Sequence, residues 1–233
     1  MPHRLWNRLC HYFAFKQSCL LCRQASNSLI CPVCNTDLER FNLASYQNNL
    51  LLHPKIKEIY KNLDAQRLLA ISNYQWPLAN LVTQLKFSRR VIHAKALAEL
   101  FLDSVSFDSG SIPETIIPVP LHNARFHQRK FSQAIEIANF IGNQLGISVN
   151  DRLCLRHKPT QPQTTLSGKQ RRLNIRNAFS INSTFSYRHV AIFDDIVTTG
   201  STVNELIKSI KSRNPDVQIE VWCICISLPT SLS

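Results

Sequence analysis

Residues 190 to 205, Val-Ala-Ile-Phe-Asp-Asp-Ile-Val-Thr-Thr-Gly-Ser-Thr-Val-Asn-Glu, place two adjacent carboxylates between an apolar run and a hydroxyl-rich loop. Val190 to Phe193 are apolar at every position, as a central parallel strand covered on both faces must be. Asp194 and Asp195 then fall at the carboxyl end of that strand, where open α/β sheets take their ligands. Two neighbouring acceptor-only carboxylates suit the vicinal hydroxyls of a sugar. Val197, Thr198, Thr199, Gly200, Ser201 and Thr202 follow, bringing hydroxyls and backbone N–H groups to the positive end of a helix, where phosphate is favoured. Thr202 and Glu205 have the spacing of a capping box, which starts the helix at Thr202. The chain has only five glycines. Gly200 stands where the backbone must approach an anion closely or take a positive φ.

This segment resembles the 5-phosphoribosyl-1-pyrophosphate (PRPP) binding motif of type I phosphoribosyltransferases, an acid pair followed by Thr-Thr-Gly-Ser-Thr. The resemblance implies that Asp194 and Asp195 hold ribose hydroxyls and that Thr198 to Thr202 hold the 5-phosphate. A second stretch, Thr115 to Val119, runs as a strand into Pro120, Leu121 and His122, then Arg125, Arg129 and Lys130 ahead of another helix. It reads either as a buried strand with a basic turn or as an anion loop suited to a diphosphate, since guanidinium forks and a helix start both favour one.

Lys plus Arg outnumber Asp plus Glu by 27 to 15, a net charge of +12. Such an excess points to a polyanionic partner. It is concentrated: between Arg152 and Arg176 lie Arg156, Lys158, Lys169, Arg171 and Arg172 with no acid among them. Solvated surface loops are the alternative. Phe126 and Phe131 are interleaved with Arg125, Arg129 and the neighbouring His, as stacking platforms for bases or as core residues.

Four of the eight cysteines form Cys19-x2-Cys22 and, eight residues on, Cys31-x2-Cys34. Two such knuckles can present four thiolates to one tetrahedral Zn²⁺, a closed structural site that supplies folding energy rather than catalysis. Two disulfides remain the other reading, and would need an oxidising compartment. Cys154, Cys223 and Cys225 look like small core hydrophobes.

Stepping outward from these groups, the expected architecture is a doubly wound, mostly parallel α/β sheet with a small N-terminal four-Cys module. Residues 1–45 form the zinc module with its lead-in, 46–68 a connector with short helices, and 69–233 the main domain. Leu69 to Tyr74, Thr115 to Val119 and Val217 to Ile226 pattern as strands; Pro77 to Lys86, Val91 to Val105 and Phe131 to Leu145 pattern as helices, the last stopped by Gly146 with Ile135, Ala138, Ile141 and Leu145 on one face. Strands alternating with helices imply parallel pairing. No stretch is long and apolar enough for a membrane span and no secretory leader is read, so a cytoplasmic setting is expected. Arg4, Arg8 and Lys16 among Leu5, Trp6, Leu9, Phe13 and Phe15 allow at most peripheral contact with the inner face of the cytoplasmic membrane.

Taken together, the four-Cys module, Lys86-Phe87, Pro118 to His122, Arg129 with Phe131 and Gln133, Thr160 with Gln163, Arg171 to Asn174 with Ala178-Phe179, and Asp194 to Thr202 resemble the ComF family. One departure is plain: Arg129-Lys130-Phe131-Ser132-Gln133 stands where relatives read Arg-Gly-Phe-Asn-Gln. The resemblance implies a PRPP-type pocket, Mg²⁺ accompanying PRPP, and a role with single-stranded DNA during natural transformation, beside a helicase or an uptake channel. On that view Arg125, Arg129, Lys158, Lys169, Arg171, Arg172 and Arg176 follow the DNA. Two other functions stay open. One is an active transferase moving phosphoribosyl from PRPP to a nitrogen acceptor, with Asp194 and Asp195 orienting the ribose; the other is a PRPP-sensing DNA-binding regulator.

Overall fold

A computed structural model describes residues 17–88, 91–107, 110, 112–121, 131–157 and 175–228. The chain divides into two compact units, residues 1–38 and 39–233, so the division falls before the 45/46 boundary expected from sequence. In the first unit β1 (Gln17–Ser18) pairs antiparallel with β2 (Ala25–Ser26), and α1 (Pro32–Thr36) follows with Pro32 in its first turn and Cys31 as N-cap. The lead-in, residues 1–16, lies outside the described residues.

The second unit is built on a five-stranded sheet in which every pairing is parallel. Its strands are β3 (Arg67–Asn73), β4 (Thr115–Pro118), β5 (Ser148–Val149), β8 (His189–Val197) and β9 (Gln218–Ile226), in the spatial order β3-β9-β8-β4-β5. Helices α3 (Leu78–Ser88) and α4 (Val91–Ser104) carry the chain from β3 to β4, α5 (Gln133–Leu145) from β4 to β5, and α6 (Ser201–Lys211) from β8 to β9. The first two crossings run one way across the sheet and the last runs the other. Right-handed crossovers then send α6 to the face opposite α3, α4 and α5. The expected doubly wound class is the one observed.

Covering on both faces explains the composition of the inner strands. Val190, Ala191, Ile192 and Phe193 are fully buried, as are Val221 to Ile226. Each large apolar side chain so buried contributes about 1.5–3 kcal/mol. Phe101 of α4 meets Phe193 edge-on at 6.1 Å and Trp222 at 5.7 Å. Cys154, Cys223 and Cys225 are buried core residues, as expected, and burial pushes the Cys154 and Cys225 thiols up to about 12.

The expected connector, 46–68, and the few residues before it guard the edge of the sheet. This stretch holds two single 3-10 turns, Leu43–Tyr46 and Leu50–Leu52, then α2 (Pro54–Ile59). Asn49 donates its side-chain amide to the Gln66 carbonyl while its oxygen accepts the Leu68 N–H, and the Phe41 N–H reaches the Ile71 carbonyl. These bonds occupy edge groups of β3 that would otherwise invite another strand.

Gly146 ends α5 at φ +69°, the left-handed cap anticipated from sequence. The buried stripe of that helix is Ala134, Ile137, Ala138 and Ile141, with Ile135 and Leu145 only half-buried, because α5 packs against both α4 and the sheet. A strand pair not anticipated, β6 (Cys154–Arg156) with β7 (Phe179–Ile181), brackets the basic segment; three-residue runs carry too little periodicity to be recognised.

Gly142 lets α5 close on the turn into β5. A Cβ there would lie 2.7 Å from the Ile147 carbonyl oxygen and 2.8 Å from Val149 Cγ2. Gly142→Ala is therefore expected to destabilise the protein by about 1–3 kcal/mol through overpacking, read as a lowered midpoint in urea denaturation.

Candidate ribose-phosphate site

The site forms where the crossings diverge. Chain leaving β4 turns toward β5 and chain leaving β8 turns toward β9, so the mouth between their carboxyl ends is a topological switch point. The β4 ladder on β8 ends at Pro118 opposite Phe193, with one further bond from the Val119 N–H to the Phe193 carbonyl. β8 itself runs on through Val197, further than the stop at Phe193 read from sequence. Asp194, Asp195 and Ile196 thus extend past the end of β4 along one wall of the crevice, with Pro120 and Leu121 half-buried opposite.

The two carboxylates differ in surroundings. Asp195 shares its strand face with Phe193, which packs on α4, and from that side Lys86 at the end of α3 places Nζ 3.0 Å from Asp195 Oδ2. Burial pulls the Lys86 ammonium toward neutrality, but the Asp195 charge and hydrogen bond outweigh it, so Lys86 is held above the usual lysine range. Among the described residues Asp194 has no such neighbour of its own. Burial first, and the Asp195 charge second, push its carboxyl well above the ordinary carboxylate range, against the Asp195 N–H donated at 2.9 Å and the more distant Lys86 charge. Asp194 as a residue keeps some exposed surface; it is the carboxyl group that is desolvated.

Beyond the strand, the chain turns through Val197, Thr198, Thr199 and Gly200. Gly200 has φ +69° and is the N-cap of α6, which begins at Ser201. The expected capping box is absent: Glu205 instead accepts the Asn177 N–H at 2.7 Å, and the helix starts one residue earlier than Thr202. Thr199 Oγ1 and Ser201 Oγ stand 2.9 Å apart, which turns both hydroxyls into the loop. Tyr60, 2% exposed, supports the loop from beneath, its hydroxyl 2.9 Å from the Val197 carbonyl oxygen and 2.8 Å from that of Thr198. Its ring also fills the space beside Gly200, where an added Cβ would come within 3.3 Å. The loop is thus fixed by a tyrosine from the connector.

A cavity of about 740 Å³ opens against this loop, lined by Thr198 to Ser201, by Asn204, Glu205 and Lys208 of α6, and by Arg176 among others. Arg176 is the one residue of the proposed DNA path that the structure places. His122, Arg125, Arg129, Lys130, Lys158, Lys169, Arg171 and Arg172 lie outside the described residues, as does Phe126. Phe131 is buried, a core residue rather than a stacking platform.

Two contributors escaped the sequence reading. Lys86 was noticed only as part of the Lys86-Phe87 pair; its signal, a cation ending an apolar helix, is shared by many solvated lysines. Tyr60 carried no signal beyond being an aromatic in a polar stretch.

The four cysteines of the first unit converge, with all Sγ atoms within 4.8 Å of one another and Cys22 and Cys31 Sγ 3.8 Å apart. A tetrahedral ion at about 2.3 Å from each sulfur requires edges of about 3.8 Å. Cys19 Sγ accepts the Cys31 N–H and Cys31 Sγ the Cys34 N–H, bonds that orient thiolates around a centre. The described cysteines are free thiols, so the disulfide reading is not the arrangement found. The cluster suits a metal ion.

Comparison with known proteins bears directly on this arrangement. No protein-family model matches the chain. The DNA utilization protein YhgH of Salmonella typhimurium is 35% identical over 221 residues, 90% of this chain and 97% of that protein. Competence protein F of Haemophilus influenzae is 35% identical over 163 residues, 67% of this chain and 71% of that protein. The chain belongs to the ComF family. Among solved structures, the xanthine-guanine-hypoxanthine phosphoribosyltransferase of Helicobacter pylori overlays 68% of this chain and 89% of its own, at 11% identity and a TM-score of 0.34. An overlay that loose adds nothing to the strand order, which this ComF protein displays directly. Among its described residues no helix is long and apolar enough to cross a membrane.

The raised Asp194 carboxyl has a measurable consequence. Between the ordinary aspartate range near pH 4 and its raised folded value, the folded state binds the extra proton, so stability falls as pH rises through that window. Asp194→Asn removes the loss. The variant is expected to melt at a higher temperature than wild type at neutral pH, with the difference vanishing below about pH 4 in a series of calorimetric scans.

Proposed function

We propose that this protein binds PRPP, or another ligand ending in ribose 5-phosphate, at the Asp194-Asp195 and Thr198–Thr202 site, and that it handles single-stranded DNA during DNA uptake. The observation that carries the ligand class is the juxtaposition at one switch point of an acid pair, the Asp194 carboxyl of it desolvated, and a hydroxyl loop capped by Gly200. Carboxylates accept hydrogen bonds from sugar hydroxyls, and the loop with the first turn of α6 offers donors to a phosphate. Lys86 keeps Asp195 oriented and offsets the second negative charge. Pro120 and Leu121 lie on the side from which a diphosphate would be met, ahead of His122, Arg125, Arg129 and Lys130. Mg²⁺ accompanying the diphosphate would screen its charge, with Asp194 and Asp195 the nearest described carboxylates.

The DNA role is supported by the names of the relatives, a DNA utilization protein and a competence protein, and by the excess of Lys and Arg. Arg176 beside the loop brings one of those cations to the cavity wall. A cytoplasmic setting, with helicase or channel proteins as partners, fits that role. The four-Cys cluster is assigned to structural Zn²⁺, since four thiols and no open coordination position suit that ion.

Calorimetric titration with PRPP and Mg²⁺ tests the ligand. Wild type is expected to bind, and Asp194→Asn with Asp195→Asn to give no heat while keeping its circular dichroism spectrum; unchanged affinity in the double variant would refute the site. Elemental analysis is expected to find one zinc per chain, lost with Cys22→Ser, and metal-free protein with an intact first unit would refute the zinc assignment.

A further inference from the structure

The cavity beside the hydroxyl loop is larger than the ligand proposed for that loop. At about 740 Å³ it falls in the range of about 300–1,000 Å³ that encloses a whole small-molecule ligand. A terminal 5-phosphate resting on the loop would leave most of it to water. Neither Asp194 nor Asp195 lines it, whereas Thr198 to Ser201 do, so the cavity meets the loop without reaching the carboxylates. A ligand that fills this volume from a phosphate on the loop extends away from the sugar.

Its walls suit a nucleotide. Arg176 and Lys208 bring positive charge; Asn62 and Asn204 bring amides; Leu63 and Leu228 bring apolar surface. The acid among them, Glu205, has one oxygen bonded to the Asn177 N–H at 2.7 Å and the other 3.8 Å from Lys208 Nζ, so its charge is already engaged. On the other side of the loop, the carboxylates call for a sugar with a free hydroxyl. An internal nucleotide of DNA has none, because its 3′-oxygen is esterified. A 3′-terminal nucleotide satisfies both demands: its 3′-hydroxyl is free, and its 5′-phosphate is joined to the preceding nucleotide.

We propose that this site binds the 3′ end of a single DNA strand, with the terminal 3′-hydroxyl at Asp194 and Asp195, its phosphodiester on the loop, and the penultimate nucleotide in the cavity. The inference rests on the reading of the loop as a phosphate site. It makes PRPP and DNA ends competitors for one place. A 3′-phosphate would bring a dianion against two carboxylates and is rejected.

The test uses the full chain and short oligothymidylates in fluorescence anisotropy, with 3′-hydroxyl, 3′-phosphate and circular forms compared. The 3′-hydroxyl strand is expected to bind at least about tenfold more tightly than the other two and to be displaced by PRPP. Asn62→Trp, at an exposed turn on the cavity wall, is expected to weaken the strand about tenfold while PRPP affinity stays within about twofold; Lys208→Glu, on the exposed face of α6, is expected to act in the same direction. Equal binding of circular and 3′-hydroxyl strands, or equal loss of PRPP and DNA in both variants, overturns the proposal. Thymidine triphosphate binding as tightly as the 3′-hydroxyl strand would overturn it too, by showing that the cavity takes phosphates alone. If PRPP fails to bind wild type, the ribose-phosphate reading itself falls; if PRPP binds and strand ends are not distinguished, only the end-binding inference falls.

Discussion

Two carboxylates on consecutive residues cannot both stay charged in a poorly solvated place unless a cation is held beside them. Lys86 meets that requirement for Asp195 alone, at 3.0 Å, and leaves Asp194 favouring its proton. The rest of the site follows from this asymmetry. α3 must end where Lys86 can reach β8, β8 must outrun β4 so that its last residues face the crevice, and the chain must turn sharply enough at Gly200 to put hydroxyls and helix N–H groups next to the acids. A hydroxyl donated to Asp194 would favour its charged form, since a hydrogen bond to a carboxylate draws its proton off.

Support for the loop comes from a region that supplies no strand to the sheet. Tyr60 is anchored by packing of α2, and its hydroxyl meets the two carbonyl groups at which β8 gives way to the loop. Asn204 of α6 accepts the Asp64 N–H through its side chain, and Lys211 bonds the Asp64 carboxylate at 2.7 Å, so the same connector is fastened to the helix on the loop's other side. A buried hydroxyl left without such partners would cost about 1–3 kcal/mol, which gives this arrangement one stable form.

Much of this was legible in the residues, and the limits have physical causes. The apolar run 190–193 fixed β8 because a strand covered on both faces has no polar positions to spare, and Gly146 marked the end of α5 because few other residues tolerate its φ. The cysteine spacing announced its cluster, since two short knuckles leave few other ways to gather four thiols. The start of α6 was misplaced because Glu205 has a better partner in Asn177, a contact across 28 residues that no local pattern encodes. Lys86 was missed for the same reason: it sits on the crossover from β3 to β4, and its partner, Asp195, lies on β8, not among its neighbours in sequence. Local signals named the elements; the pairings between distant elements decided which side chains meet.

The last strand of the sheet to be synthesised is not at its rim. β9 lies between β3 and β8, parallel to both, and every residue after Gln218 in it is buried. Until the ribosome releases that stretch, β3 has no strand to pair with and stays apart from the β8-β4 pair that forms the crevice. The second unit therefore assembles after translation has passed residue 226 rather than in step with it. A chain cut short before that point would lack the strand that joins β3 to β8 and would leave their facing edges unpaired.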